Sequence, residues 1–147
     1  MKIKLVSSAL LFILANKYVA AQQIDQAELK AEREHIIHQY IIDLGKADPE
    51  DITSLFAENG TVISTSQGKV DASQFFNNFL PQIEQATTVF HQLFISQENE
   101  NHYTARFHFN FTLKDGEVGS GEYIDEFIFA ADSKKLTQVA MFENLKF

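Results

Sequence analysis

The sequence predicts an α+β domain in which a curved antiparallel sheet wraps around three N-terminal helices. Two observations support this fold class. Apolar residues recur with helical spacing over residues 25–80, and alternating patterns replace that spacing from residue 87 onward. The longest alternation covers residues 102–113, with apolar side chains on one face and polar side chains on the other. A strand of that length spans about 40 Å and needs a helical layer over its Phe-rich face.

The composition fits one domain and excludes several kinds of site. A chain of 147 residues is long enough to form a single domain with its own core. Because the sequence has no Cys, disulfides, thiolate metal sites and Cys nucleophiles are excluded. The net charge of −8 gives an acidic surface that repels phosphate backbones, so nucleic acid is not an expected partner.

The N-terminus has the pattern of a secretory signal peptide. Lys2 and Lys4 precede a short apolar run, and Val19-Ala20-Ala21 offers small residues for cleavage. We therefore predict a signal peptide over residues 1–21, a mature domain over residues 22–147, and a secreted or periplasmic protein. The apolar run is too short to span a bilayer and no Cys follows the cleavage site, so no stable membrane anchor is expected.

Two amphipathic helices are predicted next. The first spans residues 25–44, with Asp25 as its N-cap and Tyr40 on its apolar stripe. The second begins at the N-cap Asp48, which Pro49 follows at the first helical position. Its expected end is Asn59-Gly60, so that a short strand follows over residues 61–65.

A third helix and a run of strands complete the predicted domain. The helix spans residues 72–80, with Asp71 as its N-cap, and Pro81 kinks or ends it. Alternating apolar residues then predict four strands over residues 87–97, 102–113, 122–131 and 136–145. Short polar turns between them favour an antiparallel meander that packs one face against the helices.

Four short motifs carry a family resemblance. They are Asp48-Pro49-Glu50-Asp51-Ile52, Leu55-Phe56-Ala57-Glu58-Asn59-Gly60-Thr61-Val62, Phe90-His91-Gln92-Leu93 and Tyr123-Ile124-Asp125. In this order and spacing they resemble the nuclear transport factor 2-like superfamily, specifically its SnoaL-like branch. The resemblance covers residues 36–142 and implies a cone-shaped α+β fold with a pocket between the helices and the concave sheet.

Three polar residues fall on faces that should be buried, and we take them as candidate catalytic residues: Tyr40, His91 and Asp125. The resemblance implies that Tyr40 and Asp125 match the oxyanion-stabilising pair of ketosteroid isomerase, a superfamily member. Ser64 stands where that enzyme has its aspartate base. The resemblance also implies that His91 matches the His of dehydratases and dehydrochlorinases, whose partner Asp is replaced here by Gly45. The alternative is a structural hydrogen-bond network without chemistry.

A Phe-rich pocket suits a small apolar or aromatic ligand. Its predicted lining is Phe75, Phe79, Phe107, Phe109 and Phe127. The first functional hypothesis is an exported domain that binds such a ligand without catalysis. The second is a cofactor-independent isomerase or lyase in which His91 is the base and Tyr40 with Asp125 is the electrophile.

The sequence predicts no cofactor site and no metal site. It does predict a homodimer. The sequence has no Gly-rich phosphate loop, and no third ligand accompanies His35 and His38. Members of the superfamily often dimerise through the outer face of the sheet. Here that face should carry Arg106 and His108 beside Ile124, a mixture of polar and apolar side chains.

Overall fold

The computed structural model describes residues 7–143, with side chains described for residues 25–142. The elements are α1 (Ser7–Lys46), α2 (Pro49–Ser54), β1 (Phe56–Ser64), β2 (Gly68–Asp71), α3 (Ala72–Phe79), a 3-10 turn (Leu80–Gln82), β3 (Ile83–Ile95), β4 (His102–Leu113), β5 (Val118–Phe129) and β6 (Leu136–Glu143). The strands form one sheet in the order β2-β1-β6-β5-β4-β3, and only β1 and β6 pair in parallel within the described chain. The predicted α+β class is confirmed.

The sheet has an inner face, which packs against the helices, and an outer face. Residues Tyr103, Ala105, Phe107 and Phe109 of β4 are buried on the inner face, and His102, Thr104, Arg106 and His108 alternate with them on the outer face. Tyr40 of α1 joins the helical layer to the inner face. Its ring lies 5.0 Å from the ring of Phe127 on β5 and 6.0 Å from that of Phe76 on α3, both edge-on. Each such pair adds about 0.5–1.5 kcal/mol beyond area burial.

Helix α1 begins earlier than predicted. Asp25 lies inside the helix, so its predicted role as an N-cap is wrong. The residues that precede it, Ala20-Ala21-Gln22-Gln23, are strong helix formers, and the helix continues through them. Residues 1–6 and the side chains of residues 7–24 lie outside the described part of the chain, so cleavage after Ala21 stays a prediction.

Helix α2 has the predicted start and an earlier end. The Asp48 side chain accepts hydrogen bonds at 3.0 Å from the backbone N–H groups of Glu50 and Asp51, which confirms the N-cap. The predicted end at Asn59-Gly60 is wrong, because α2 ends at Ser54 and β1 begins at Phe56. Phe56 is buried in the core, and the register shift between residues 56 and 61 of β1 hides the alternation that would have marked this strand.

Helix α3 agrees with the prediction, and the strands on either side of it differ. Asp71 caps the helix by accepting the N–H of Gln74 at 2.8 Å. The edge strand β2 was not predicted, since its four residues are too short to show a period. Strand β3 begins at Ile83, directly after the Pro81 turn, rather than at residue 87.

Strands β4 and β5 form the long hairpin on which the site is built. The bounds of β4 are those predicted, whereas β5 begins at Val118 rather than at residue 122. In the early part of β5, the ring of Phe111 lies over Gly119. A Cβ on Gly119 would overlap the ring of its cross-strand partner Phe111, so any larger residue there would have to displace that ring. Among the helices of the described chain, none has the length and apolar character needed to cross a membrane.

Candidate functional site

A cavity of about 430 Å³ lies between the helices and the inner face of the sheet. It is lined by Leu44, Ser64, Thr65, Ser66, Gln67, Phe75, Phe79, Phe107, Phe109, Phe111, Glu117, Val118, Gly119, Ser120, Tyr123, Asp125 and Met141. Its size falls in the range of small-molecule sites, about 300–1,000 Å³. Six of these side chains are aromatic, so the walls suit an apolar ligand.

Four of the five Phe residues predicted to line the pocket do border the cavity. The exception is Phe127, which is fully buried against Tyr40 and does not border it. Two aromatic side chains of the lining, Phe111 and Tyr123, were not predicted. Both lie on the inner face of their strands, two residues from another inner-face residue. The period of two in the sequence therefore contained the signal that would have identified them.

The structure brings Tyr40 next to Asp125, and of the two only Asp125 borders the cavity. Asp125 lies opposite Ala105 on β4 and Met141 on β6, and 1% of its surface is exposed. The hydroxyl of Tyr40, also buried, donates a hydrogen bond to Asp125 Oδ2 at 3.3 Å. Asp125 Oδ1 is buried and has no hydrogen-bond partner among the described residues. The χ2 angle of Asp has a broad distribution, so either carboxyl oxygen can turn toward a bound molecule.

Burial sets the charge of this pair. Desolvation raises the pKa of Asp125 to about 8, and the hydrogen bond from Tyr40 opposes that rise. Burial and the neighbouring Asp125 also raise the pKa of the Tyr40 phenol well above its ordinary value. At neutral pH both groups are therefore uncharged, and the Asp125 carboxylic acid can donate a hydrogen bond to an acceptor in the cavity.

His91 lies on the outer face of the sheet, away from the cavity. A β-bulge between Phe90 and Gln92 makes His91 the extra residue of β3, so that Phe90 keeps its place opposite Phe107 on the inner face. His91 Nε2 lies 3.4 Å from Glu122 Oε2, and 35% of the histidine side chain is exposed. The expectation that His91 is buried on the apolar face is wrong, because the bulge shifts the alternation by one residue.

The second arrangement considered from the sequence, an Asp–His dyad, has no counterpart in the structure. A Cβ on Gly45 would lie 2.7 Å from Thr88 Oγ1, so a larger side chain would have to displace Thr88. The nearby Asp43 is buried and accepts hydrogen bonds from Gln39 at 2.7 Å and from Lys46 at 3.0 Å. Asp43 is therefore held by its own helix rather than paired with a histidine.

The polar end of the cavity is formed by the turn after β1 and the turn before β5. Ser64 borders the cavity, and its hydroxyl accepts the N–H of Gln67 at 3.2 Å. Glu117, an exposed residue of the β4–β5 turn, is the second carboxyl group of the lining. No Lys, Arg or His belongs to the lining formed by the described residues. Within the same part of the chain, no three His, Asp or Glu side chains are arranged to hold a metal ion.

Solved structures with similar folds share little sequence with this chain. The epoxide hydrolase/cyclase-like enzyme SalBIII, of salinomycin pyran ring formation, is 16% identical with a TM-score of 0.66, covering 82% of this chain and 95% of its own. A ketosteroid isomerase-like protein from Catenulispora acidiphila, in complex with trimethylamine, is 13% identical with a TM-score of 0.61, covering 73% and 83%. A nuclear transport factor 2-like protein of unknown function from Exiguobacterium is 18% identical with a TM-score of 0.61, covering 74% and 98%.

These similarities agree with the resemblance that the motifs indicated. The sequence matches no protein-family model and no curated protein. At the identities found, the solved structures establish a shared fold and not a shared activity. The chain therefore shares the fold of ketosteroid isomerase-like and nuclear transport factor 2-like proteins.

Proposed function

We propose that this domain binds a small apolar or aromatic molecule in the cavity, with Asp125 as the polar anchor. The observation that carries this proposal is a buried carboxyl group with one unpartnered oxygen at the wall of an aromatic cavity. A buried polar atom without a partner costs about 1–3 kcal/mol. A ligand that supplies the missing hydrogen bond offsets that cost while its apolar body fills the space between the rings.

Met141 makes a direct test possible. The chain has two Met residues, and Met141 borders the cavity opposite Asp125, whereas Met1 belongs to the predicted signal peptide. In the mature protein with a ¹³C-methyl label on Met, one NMR resonance, that of Met141, therefore responds to binding in the cavity. We expect titration with 2-phenylethanol to shift that resonance saturably. An unmoved Met141 signal across a series of apolar and aromatic alcohols would refute the proposal.

A second candidate function is a cofactor-independent isomerase or lyase. It is favoured by the carboxyl group of Asp125 at the cavity wall, because a neutral acid can polarise a carbonyl oxygen. Tyr40 does not border the cavity and would act through its hydrogen bond to Asp125. His91, which was predicted to be the base, lies on the outer face of the sheet and does not border the cavity. The reaction therefore needs a different proton acceptor. Glu117, at the edge of the cavity, is the carboxylate available for that role.

Proton exchange separates this second candidate from simple binding. A ketone that binds in the cavity should exchange its α-protons in D₂O faster with the wild-type protein than with Asp125→Asn, because the variant is a weaker electrophile. General acid–base groups contribute about 10²–10⁴-fold to such steps. If the ketone binds saturably but its α-protons exchange no faster than in buffer, the isomerase or lyase function is excluded and the binding function remains.

We also propose export of the mature chain. The basic start, the short apolar run and the Val19-Ala20-Ala21 motif support cleavage after Ala21. The intact mass of protein recovered from its host should correspond to a chain that begins at Gln22. Recovery of the full-length chain from the cytoplasm would contradict this.

A homodimer through the outer face is our final proposal for this protein. Apolar side chains are exposed on that face, among them Val89 at 53%, Ile124 at 43% and Phe142 at 57%. Solvent exposure of neighbouring apolar groups is typical of an interaction surface. Light scattering at tens of micromolar should give twice the monomer mass, and Ile124→Glu should return the mass of a monomer. A monomeric wild-type protein would exclude this assembly.

A further inference from the structure

The cavity lining carries acidic side chains, as the chain as a whole does. The lining formed by the described residues has two carboxyl groups, Asp125 and Glu117, and no basic side chain. The chain as a whole carries a net charge of −8. An anionic ligand would therefore approach against the field of the protein and would meet no cation inside. A cationic ligand would be attracted at the mouth by Glu117.

The walls of the cavity also suit a cation. The six rings are Phe75, Phe79, Phe107, Phe109, Phe111 and Tyr123. Some pack edge-on, such as Phe79 with Phe111 at 5.4 Å and Phe109 with Tyr123 at 5.8 Å, whereas the rings of Phe107 and Tyr123 are stacked. The faces of aromatic rings carry partial negative charge and attract ammonium groups, and the same rings accept an apolar body.

Among the described residues, the groups that face Asp125 carry no positive charge. Tyr40 faces it from α1 with a donated hydrogen bond, Ala105 is its neighbour on β4, and Met141 is its neighbour on β6. Glu117 is the other titratable carboxyl of the same cavity. An ammonium group bound here would supply both the missing partner of Oδ1 and the missing counter-charge.

We propose that the ligand of this cavity is a lipophilic primary amine, bound as an ammonium ion that pairs with the Asp125 carboxylate while its apolar body lies among the rings. This inference rests on the proposed binding function and narrows its ligand class. At neutral pH the amine already carries its proton and the free protein holds a proton on Asp125. Binding breaks that one O–H bond and releases the proton to solvent, so one proton leaves for each amine bound.

Three probes of similar shape test the proposal: 2-phenylethylamine, 2-phenylethanol and phenylacetate. We expect the amine to bind at least tenfold more tightly than the alcohol at pH 8, and phenylacetate to bind more weakly than both. Because a proton is released, the affinity for the amine should rise up to tenfold per pH unit and level off near pH 8, where free Asp125 loses its proton. The affinity for the alcohol should not rise over this range.

Calorimetry in two buffers of different ionisation enthalpy counts the released protons directly. The wild-type protein should release about one proton per amine at pH 6.5, as the balance above requires. Asp125→Asn keeps the shape of the side chain and should release none, and its tenfold preference for the amine should disappear. Glu122→Gln, on the same strand and the opposite face, should behave as the wild type does.

The outcomes distinguish a failure of the amine inference from a failure of the proposed binding function. If the alcohol shifts the Met141 resonance but the amine binds no more tightly, or binds without releasing a proton, the amine inference falls and the binding function stands. If none of the three probes shifts Met141, both fall. The proton count in the wild-type protein decides the matter even if Asp125→Asn does not fold.

Discussion

Two of the carboxyl groups on strand β5, those of Glu122 and Asp125, lie three residues apart in opposite environments. Asp125 on the inner face is 1% exposed and has one partner, the Tyr40 hydroxyl. Glu122 on the outer face is 38% exposed, with His108 Nδ1 at 2.8 Å and His91 Nε2 at 3.4 Å. The pKa of Asp125 is raised to about 8 by burial, whereas the pKa of Glu122 is lowered, first by its hydrogen bond with His108.

The difference shows that partners and solvent set the charge of each carboxyl group. On the inner face, desolvation outweighs one neutral donor, so the acid stays protonated. On the outer face, solvent and two histidines favour the carboxylate. One face therefore offers a neutral acid to a cavity, and the other offers a network of half-exposed contacts between histidines and glutamates, which contribute little to stability.

The largest expected effect is the pH dependence that Asp125 gives to folding. Its pKa is about 8 in the folded protein and near 3.8 in the unfolded chain, so between these values only the folded state holds the proton. Stability therefore falls as pH rises from about 4 to about 8 and levels off above that. Relative to the wild type, Asp125→Asn should gain about 4 kcal/mol between pH 5 and pH 8, at 1.36 kcal/mol per pH unit.

Urea unfolding of both proteins across this pH range measures the effect, and Glu122→Gln is its matched control. The lowered pKa of Glu122 gives stability that is present above its unfolded pKa and lost as pH falls through the folded pKa. The control should therefore show a small change of opposite sign, confined to acidic pH. Parallel pH profiles for the wild type and Asp125→Asn would mean that Asp125 is ionised when folded.

The second effect comes from the close packing of the inner face. In Gly119→Ala, the new Cβ would meet the ring of Phe111 and push it toward the cavity. Overpacking of this kind costs about 1–3 kcal/mol, and we expect ligand affinity to fall with it. The control Glu122→Gln, on the outer face of the same strand, should change the free energy of unfolding at neutral pH by about 0.5 kcal/mol or less. Equal effects of the two variants would show that Phe111 moves without cost.

The third effect is the loss of the Tyr40 hydroxyl. Tyr40→Phe keeps the ring contacts with Phe127 and leaves Asp125 Oδ2 without its donor, which should cost about 1–2 kcal/mol. Because that hydrogen bond holds the pKa of Asp125 down, its removal should raise the pKa further. A ¹³C NMR titration of the carboxyl carbon measures this shift. A lower pKa in the variant would contradict the assigned direction of the hydrogen bond.

The same contrast explains which parts of the fold and site were predictable. The bounds of β4 and the N-caps Asp48 and Asp71 depend on local chemistry, and the sequence predicts them. Asp125 and Tyr40 were identified because a polar residue on an apolar stripe stands out within its own element. The face of His91 depends on how β3 pairs with β4, and the bulge that sets it has no signature within β3 alone.

The lining of the cavity was predictable in part for a related reason. A period of two places Phe107 and Phe109 on the inner face, but every inner-face ring satisfies that pattern equally. Which rings border the cavity depends on where α1 lies, and Tyr40 of that helix covers Phe127. Helix placement is a property of the assembled core, so it is not visible in the alternation of any one strand.

The smallest expected effect tests the catalytic role predicted for His91. His91→Gln removes one of two histidines from Glu122, and the closer partner His108 remains. The free energy of unfolding should change by about 0.5 kcal/mol or less, as for exposed ion pairs. Ligand affinity measured through Met141 should stay within about twofold, because His91 lies on the other face of the sheet. If His91 were instead the catalytic base, the variant would lose about 10²–10⁴-fold in proton exchange while binding stayed intact. That result would require the bulge to rearrange when substrate binds, so that the outer face delivers a histidine to the cavity.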